Sequence, residues 1–450
     1  MSESGFGRNV FFRNVGRDHP VIVDGRGVFL YDEDGAEYLD GCSGALVSNI
    51  GHGVEEVARA IYEQANRLAF AHLSRFASRP IARLAELVAG MAPPSLDRLY
   101  LVSGGSEANE AAVKMARQYY LERDGQSQKS VVISRWNSFH GNTVGAMSAS
   151  GIVARRRAYR PYLLDFPHIN APYCYRCPYD LDPDDCGVPC ALELEEAINK
   201  VGAEYVSAFI AEPVVGAAAG ALVPPADYHP TIREICDRYD VLYIADEVMT
   251  GFGRTGKHFA MEHWDTVPDM ITLAKGMGAG YMPLGGVLVG DDIWRAFRSG
   301  SGRFVHGHTY GGNPLACAAG VAVAEYYLKN SLRENAAEMG TLLMERLAPL
   351  KENPLVGDVR GLGLMVGVEL VQDRAKKSPF ATPAGSMAER ATELIMERGV
   401  VVYPGGGTVG GVRGDHFLIG PPLVIEASEV DRLAAGVIAG LQDLARLPLP

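Results

Sequence analysis

Two apolar runs near the middle of the chain each end on one charged residue. Residues 241–246 read Val-Leu-Tyr-Ile-Ala-Asp, and residues 270–275 read Met-Ile-Thr-Leu-Ala-Lys. Short, continuous apolar runs are typical of strands buried inside a parallel sheet, and ligands bind beyond the carboxyl ends of such strands. We therefore expect Asp246 and Lys275 to lie at one edge of an α/β sheet, beside a common ligand.

The rest of the central region supports a wound α/β sheet. Strand-like runs alternate there with helical patterns, which is the signature of this fold class. The predicted strands are residues 99–102, 131–134, 206–211, 241–245, 270–274 and 286–289. A hairpin with a turn at Asp34-Gly35 is expected before this region. After about Leu315, a long helix should lead into a smaller region with a strand at 365–370 and helices at 385–398 and 428–444.

A lysine and a carboxylate at one sheet edge suit pyridoxal 5′-phosphate (PLP). This cofactor needs a lysine amine for its Schiff base and an acid that keeps its ring nitrogen protonated. A phosphate site is also predicted, where Gly104-Gly105 follows a strand and Ser106 caps the next helix. Helix starts attract anions, although a plain capped turn would show the same pattern.

Three further residues are candidates for the same site. Glu212 ends the strand at 206–211, and Phe139 follows the strand at 131–134, where its ring could stack on a planar ligand. Arg413 lies in the polar, glycine-rich stretch 405–415, which we interpret as a mobile loop able to hold a substrate carboxylate. A salt-bridged acid, a core aromatic residue and a solvated arginine are the alternatives.

Two other motifs have competing interpretations. Residues 251–257 match glycine-rich nucleotide-binding patterns, but His258 replaces the hydroxyl residue of a phosphate loop, so a structural loop is expected. The cluster Cys174, Cys177, Cys186 and Cys190 could hold zinc, form disulfides or remain as free thiols. We assign no metal ligands to the predicted active site.

Composition narrows the class of protein. The 450 residues are 47% hydrophobic, the formal net charge is −12, and no run of 18 apolar residues occurs. These values disfavour nucleic acid and membrane partners. Residues 1–8 lack the apolar core of a signal peptide, so a cytoplasmic location is expected.

The motifs together resemble the class III (ω-type, subgroup II) aminotransferases of PLP fold type I, over nearly the whole chain. The landmarks are Ser103–Asn109 (SGGSEAN), Phe139–Gly141 (FHG), Ala211–Pro213 (AEP), Ala245–Val248 (ADEV), Gly251–Gly256 (GFGRTG), Ala274–Gly276 (AKG) and His308–Pro314 (HTYGGNP). The resemblance implies a large domain whose mostly parallel sheet is wrapped by helices, plus a smaller α+β domain. It places the N-terminal segment at 1–60, the large domain at 61–325 and the small domain at 326–450.

The resemblance also implies roles for individual residues. Lys275 would carry the cofactor and shuttle the proton, and Asp246 would pair with the ring nitrogen. Val248 and Phe139 would cover the two ring faces, with His140 beside them. Gly105 and Ser106 would bind the phosphate of the cofactor. Thr309 would bind the phosphate in the neighbouring subunit of a homodimer or dimer of dimers. Glu212 would lie near the substrate or pair with Arg413, and Leu46 would contact the substrate.

Two departures from relatives bear on specificity. Many relatives have Tyr-His-Gly where this chain has Phe139, so a hydroxyl contact is lost. Amine:pyruvate relatives often have tryptophan in the segment where this chain has Gly44-Ala45-Leu46, which argues against a strict aryl-amine preference.

The predicted activity is amino transfer from a primary amine or an ω- or β-amino acid to an α-keto acid such as pyruvate, in two half-reactions. Another PLP enzyme on the same fold, such as an aminomutase, racemase or decarboxylase, is the alternative. A nucleotide-binding protein using residues 251–257 and a zinc-dependent binding protein are more distant alternatives.

Overall fold

The computed structural model describes residues 9–14, 19–126 and 128–448, which form fifteen strands and thirteen α-helices. The strands are β1 (Ile22–Arg26), β2 (Phe29–Asp32), β3 (Glu37–Asp40), β4 (Leu96–Val102), β5 (Val131–Arg135), β6 (His168–Ile169), β7 (Val206–Ala211), β8 (Leu242–Asp246), β9 (Met270–Leu273), β10 (Gly285–Gly290), β11 (Val356–Leu362), β12 (Met365–Leu370), β13 (Val400–Val401), β14 (Tyr403–Val409) and β15 (Arg413–Ile419). The helices are α1 (Ser43–Leu46), α2 (Glu55–Arg67), α3 (Arg79–Met91), α4 (Gly105–Asp124), α5 (Val144–Ala149), α6 (Val153–Tyr159), α7 (Pro189–Val201), α8 (Tyr228–Arg238), α9 (Asp291–Ser299), α10 (Pro314–Lys329), α11 (Leu332–Leu347), α12 (Ser386–Met396) and α13 (Ala427–Arg446).

The largest sheet has seven strands in the order β4-β10-β9-β8-β7-β5-β6. All six strands predicted for the central region are present, and the two-residue strand β6 adds an edge. Strands β5 to β9 run parallel in this sheet, whereas β10 is antiparallel to both β4 and β9. Every residue of β7, β8 and β9 is buried, which explains why these strands have mainly apolar sequences without alternation.

Helices cover both faces of this sheet. On one face, the alanine-rich side of α4 packs over strand residues such as Val132, Ile210 and Val287. On the other face, α7, α8 and α10 bury their apolar sides against residues such as Phe209 and Ile271. A parallel sheet needs this double cover because its strands expose apolar side chains on both faces.

Two smaller sheets lie outside the large one. Their strand orders are β1-β2-β3-β13 and β11-β12-β15-β14. The predicted N-terminal hairpin is present as β2 and β3, and Gly35 in its turn has φ +83°. In the first small sheet, β3 pairs with β13, so the N-terminal hairpin joins a C-terminal strand. The domain limits at residues 60 and 325 stay a prediction.

The glycine-rich stretch 405–415 is not the loop expected from the sequence. It forms most of an antiparallel hairpin, in which Val409 of β14 faces Arg413 of β15. Gly407, Gly410 and Gly414 have φ between +59° and +94°. Glycine adopts this backbone region without the steric penalty that a Cβ would bring. The glycines therefore allow a tight turn and a register shift within a hairpin, and do not abolish pairing.

In the part of the chain that the structure describes, no helix is long and apolar enough to cross a membrane.

Candidate active site

Asp246 and Lys275 lie at the same edge of the large sheet. Asp246 is the last residue of β8 and faces Thr272 of the parallel strand β9, three residues before Lys275. Lys275 follows that strand after one residue, opens a short 3-10 turn and has φ +40°. Non-glycine residues rarely adopt this backbone conformation, and strain of this kind is concentrated at functional sites.

The carboxylate of Asp246 is buried and held by three groups. Its Oδ2 accepts a hydrogen bond from Nδ2 of Asn109 at 2.8 Å and lies 2.7 Å from Nδ1 of His140. Its Oδ1 accepts a hydrogen bond from the backbone N–H of Val248 at 3.1 Å. A carboxylate only accepts hydrogen bonds, so the contact with His140 requires a proton on Nδ1. These three donors fix the orientation of the Asp246 carboxylate.

The amine of Lys275 has a pKa below that of an ordinary lysine. Burial lowers its pKa to about 8, while the negative charges of Asp246 and Glu212 act in the opposite direction. The neutral, nucleophilic form of the amine is therefore accessible near neutral pH, as a Schiff-base lysine requires.

The start of α4 forms a narrow cradle beside Asp246. A Cβ on Gly105 would lie 2.8 Å from Cγ1 of Val248, so only glycine allows this approach. The prediction that Ser106 caps the helix is wrong, because α4 begins at Gly105 with Gly104 as its N-cap. Ser106 is the second helical residue, and its Oγ accepts a hydrogen bond from the backbone N–H of Asn142 at 3.1 Å.

Glu212 positions Phe139 through the backbone. Its Oε2 accepts a hydrogen bond from the N–H of Phe139 at 2.9 Å, and its Oε1 accepts one from the N–H of Gly216 at 3.0 Å. Glu212 is only 4% exposed, and burial raises its pKa. Both carboxylate oxygens thus bind backbone groups, and no ion pair with Arg413 is formed.

The remaining predicted residues lie in different surroundings. Thr309 is exposed in the turn before α10, and Arg413 is exposed at the start of β15. Leu46 is 1% exposed and packs in an apolar cluster with Met249, Met365 and Leu418. The substrate contact predicted for Leu46 stays a prediction.

Asn109 is a site residue that the sequence reasoning did not assign. It lies on the buried, alanine-rich face of α4 and is 1% exposed. Its Nδ2 also donates to the backbone oxygen of His140 at 2.6 Å, so it ties Asp246 and His140 together. The sequence signal that could have identified Asn109 is a polar residue within an otherwise apolar helix face.

The loop at residues 251–257 is structural, as expected. Arg254 is fully buried and donates hydrogen bonds to the backbone oxygens of Leu364 and Pro421 and to Oδ1 of Asn49. Its guanidinium thus fastens the loop to segments far away in sequence. The segment that follows is a 3-10 turn at Ala260–Trp264, not the helix that a nucleotide site needs.

The four clustered cysteines line one small cavity of about 20 Å³. They are present as free thiols. Within the described residues, no three His, Cys, Asp or Glu side chains are arranged to hold a metal ion.

Comparisons with known proteins agree on one family. The family model "Aminotransferase class-III" matches residues 12–439. The chain is 38% identical to the putrescine–pyruvate aminotransferase of Pseudomonas aeruginosa over 92% of this chain and 88% of that protein, and 40% identical to the uncharacterised aminotransferase YodT of Bacillus subtilis over 92% and 93%.

Solved structures give the same result. An (S)-enantioselective omega-transaminase from Thermomicrobium roseum is similar with a TM-score of 0.88 and 40% identity, covering 95% of this chain and 93% of that one. An amine transaminase from an uncultivated Pseudomonas species, in its PLP-bound form, is similar with a TM-score of 0.90 and 36% identity, covering 98% and 99%.

Proposed function

The chain belongs to the class III aminotransferases and is a PLP-dependent enzyme of fold type I; on this basis we propose that it moves an amino group from a primary amine or an ω- or β-amino acid to pyruvate or a similar α-keto acid. The amino group is transferred in two half-reactions. The name of the Pseudomonas aeruginosa relative, a putrescine–pyruvate aminotransferase, supports an amine donor and a keto-acid acceptor.

The residues of the sheet edge fit pyridoxal phosphate. The donor set combines an amine of lowered pKa on Lys275 with the fixed carboxylate of Asp246. Because Gly105 has no side chain, it leaves space beside Val248 that a Cβ would fill. Buried polar atoms without a protein partner remain nearby, namely Nε2 of His140 and Oδ1 of Asn109. When bound, the cofactor supplies an electron sink for the carbon that carries the amino group.

We assign the following roles to the residues of this chain. Lys275 would hold the cofactor, and its amine, which has a lowered pKa, would carry a proton to and from the reacting carbon. Asp246, whose carboxylate is oriented by Asn109 and His140, would pair with the ring nitrogen. Phe139 and Val248 would cover the ring.

The phosphate is assigned to the first turn of α4. The unpaired N–H groups of this turn, together with Gly105 and Ser106, suit an anion. For binding a substrate carboxylate, Arg413 stays the candidate predicted from the sequence.

A homodimer is part of the proposal. Thr309, expected to reach the neighbouring subunit's phosphate, lies beside exposed apolar side chains. Tyr310 is 65% exposed and contacts Phe70, which is 41% exposed. Exposed apolar clusters of this kind mark interaction surfaces, and a second copy of the chain would cover this one.

The observation that carries the proposal is the pairing of a low-pKa lysine with a multiply hydrogen-bonded aspartate at neighbouring strand ends. The test is to mix the cofactor-loaded enzyme with one amine donor and no acceptor. We expect the cofactor to be converted once to its amine form, and pyruvate then to restore the aldehyde form. Turnover without acceptor, with release of carbon dioxide or of an isomerised product, would identify another PLP enzyme.

A further inference from the structure

Four cysteines come together in the irregular segment between β6 and the first turn of α7. Cys174 opens a 3-10 turn that ends next to Cys177. Cys186 precedes α7, and Cys190 lies in the first turn of that helix. All four line one cavity of about 20 Å³, which has room for about one water molecule. They are free thiols, and no step of the proposed amino transfer uses them.

Cys174 and Cys186 are neighbours that solvent can reach. Both are partly exposed. The pKa of Cys174 is raised by burial and by the negative charges of Cys177 and Cys186, so both of these sulfurs lie near Cys174. Cys190, by contrast, is buried, and burial raises the pKa of its thiol to about 12. Because the thiolate is the reactive form of cysteine, Cys190 should stay inert.

The sulfurs of Cys174 and Cys186 are held only weakly. Sγ of Cys174 lies 4.0 Å from the backbone oxygen of Pro172, and Sγ of Cys186 lies 3.8 Å from that of Pro183. The N–H of Val188 donates a hydrogen bond to Sγ of Cys186 at 3.4 Å, which orients this sulfur. An accessible thiol with a second thiol beside it is the arrangement in which cysteine oxidation ends in a disulfide.

We propose that Cys174 and Cys186 form a disulfide when a peroxide reaches the enzyme, a modification separate from amino transfer. Hydrogen peroxide first oxidises the thiol of Cys186 to a sulfenic acid, and one molecule of water is released. The sulfur of Cys174 then attacks the sulfur of Cys186, the S–O bond breaks, and a second water leaves with the thiol proton. The two thiols lose two electrons and two protons in total, and the peroxide takes up both. Cys174 reacts second because its raised pKa disfavours the thiolate.

Loop length favours this bond over one between Cys174 and Cys177. The latter would close only the turn 174–177, whereas the proposed bond closes the loop 174–186, and the stabilisation by a disulfide increases with the length of the closed loop. Residues 180–185 of this loop are exposed and contain no helix or strand. A covalent bond would therefore restrain a part of the chain that regular secondary structure does not.

The test treats the cofactor-loaded enzyme with hydrogen peroxide and maps its peptides without reduction. Remaining thiols are blocked with N-ethylmaleimide. Trypsin cuts after Arg157 and Arg176, so Cys174 lies in peptide 158–176 and Cys186 in peptide 177–200. We expect these two peptides to be joined, with a mass lower by two hydrogen atoms than their sum. Their thiols should be lost about 10-fold faster than those of the buried residues Cys236 and Cys317.

Three variants identify the two sulfurs. Cys186→Ser should abolish the joined peptide. Cys174→Ser should leave a sulfenic acid on Cys186, which dimedone labels. Cys190→Ser is the matched control from the same cluster and should form the same bond as the wild type, and dithiothreitol should restore both thiols.

Several results would overturn the assignment. They are the absence of a joined peptide in the wild type, a bond between Cys174 and Cys177, a disulfide that joins two chains on a non-reducing gel, and oxidation of Cys236 or Cys317 at the same rate. One equivalent of zinc in the purified enzyme would also overturn it, because a metal ion would then occupy the thiols. The wild-type peptide map decides the question even if a variant fails to fold.

Discussion

Lys275 should react with pyridoxal phosphate at a pH at which an ordinary lysine is almost fully protonated. Burial lowers its pKa from 10.5 to about 8. At pH 7.5, about one quarter of such amines are neutral, against about one in a thousand for an unperturbed lysine, a difference of roughly 200-fold. Only the neutral amine attacks the aldehyde, so the rate of attachment to the apoenzyme should rise with pH up to about 8 and then level off.

The assay is the absorbance change on mixing apoenzyme with pyridoxal phosphate across pH 6 to 10.5. A free N-acetyl-lysine amide control corrects for ionisation of the cofactor itself, and its rate should keep rising to above pH 10. The same pKa shift has a thermodynamic consequence: between about pH 8 and 10.5 the unfolded chain retains the proton that folded Lys275 has lost, so the contribution of Lys275 to the free energy of unfolding increases with pH. An attachment rate that parallels the free lysine up to pH 10 would refute the argument.

Three substitutions test other parts of the site. Asp246→Asn should retain the fold but lose most of the proton-transfer rate in single-turnover experiments, because the charge opposite the ring nitrogen is removed; a near-wild-type rate would refute this role. Gly105→Ala should lower cofactor affinity, since the new Cβ would lie 2.8 Å from Cγ1 of Val248, whereas Gly104→Ala has free space and serves as the control. Thr309→Ala should weaken cofactor retention by about 1.5–3 kcal/mol, or roughly 10- to 150-fold, as expected for one hydrogen bond to a charged phosphate, and a fully active monomer in sedimentation would contradict the shared site.

The sheet and its functional edge could be predicted because parallel strands carry a strong local signal. The strands at 206–211, 241–245 and 270–274 are buried on both faces, so their sequences are mainly apolar, with only Ser207 and Thr272 as internal polar residues, up to the charged residue that follows each run. Sequence order then placed Asp246 and Lys275 at one edge, since parallel strands share their direction.

Other features depend on contacts between distant segments. The sequence of residues 405–415 predicted a loop, because the β-propensity of individual residues does not reveal that β14 pairs with β15. Arg155 and Arg157 stand two residues apart in α6, and only packing in the folded chain, with Arg155 over the Phe139 ring, distinguishes the half-buried arginine from the exposed one. The link from Asn109 to Asp246 spans 137 residues and likewise has no local signature.

Lys275, two residues beyond the end of β9, is the residue proposed to carry the cofactor. Borohydride reduction of the loaded enzyme fixes the pyridoxyl group on its lysine, and peptide mapping then identifies that residue. We expect the label on Lys275 alone, and no label in the Lys275→Arg variant. A label on Lys114 or Lys257 in the wild-type enzyme would contradict it.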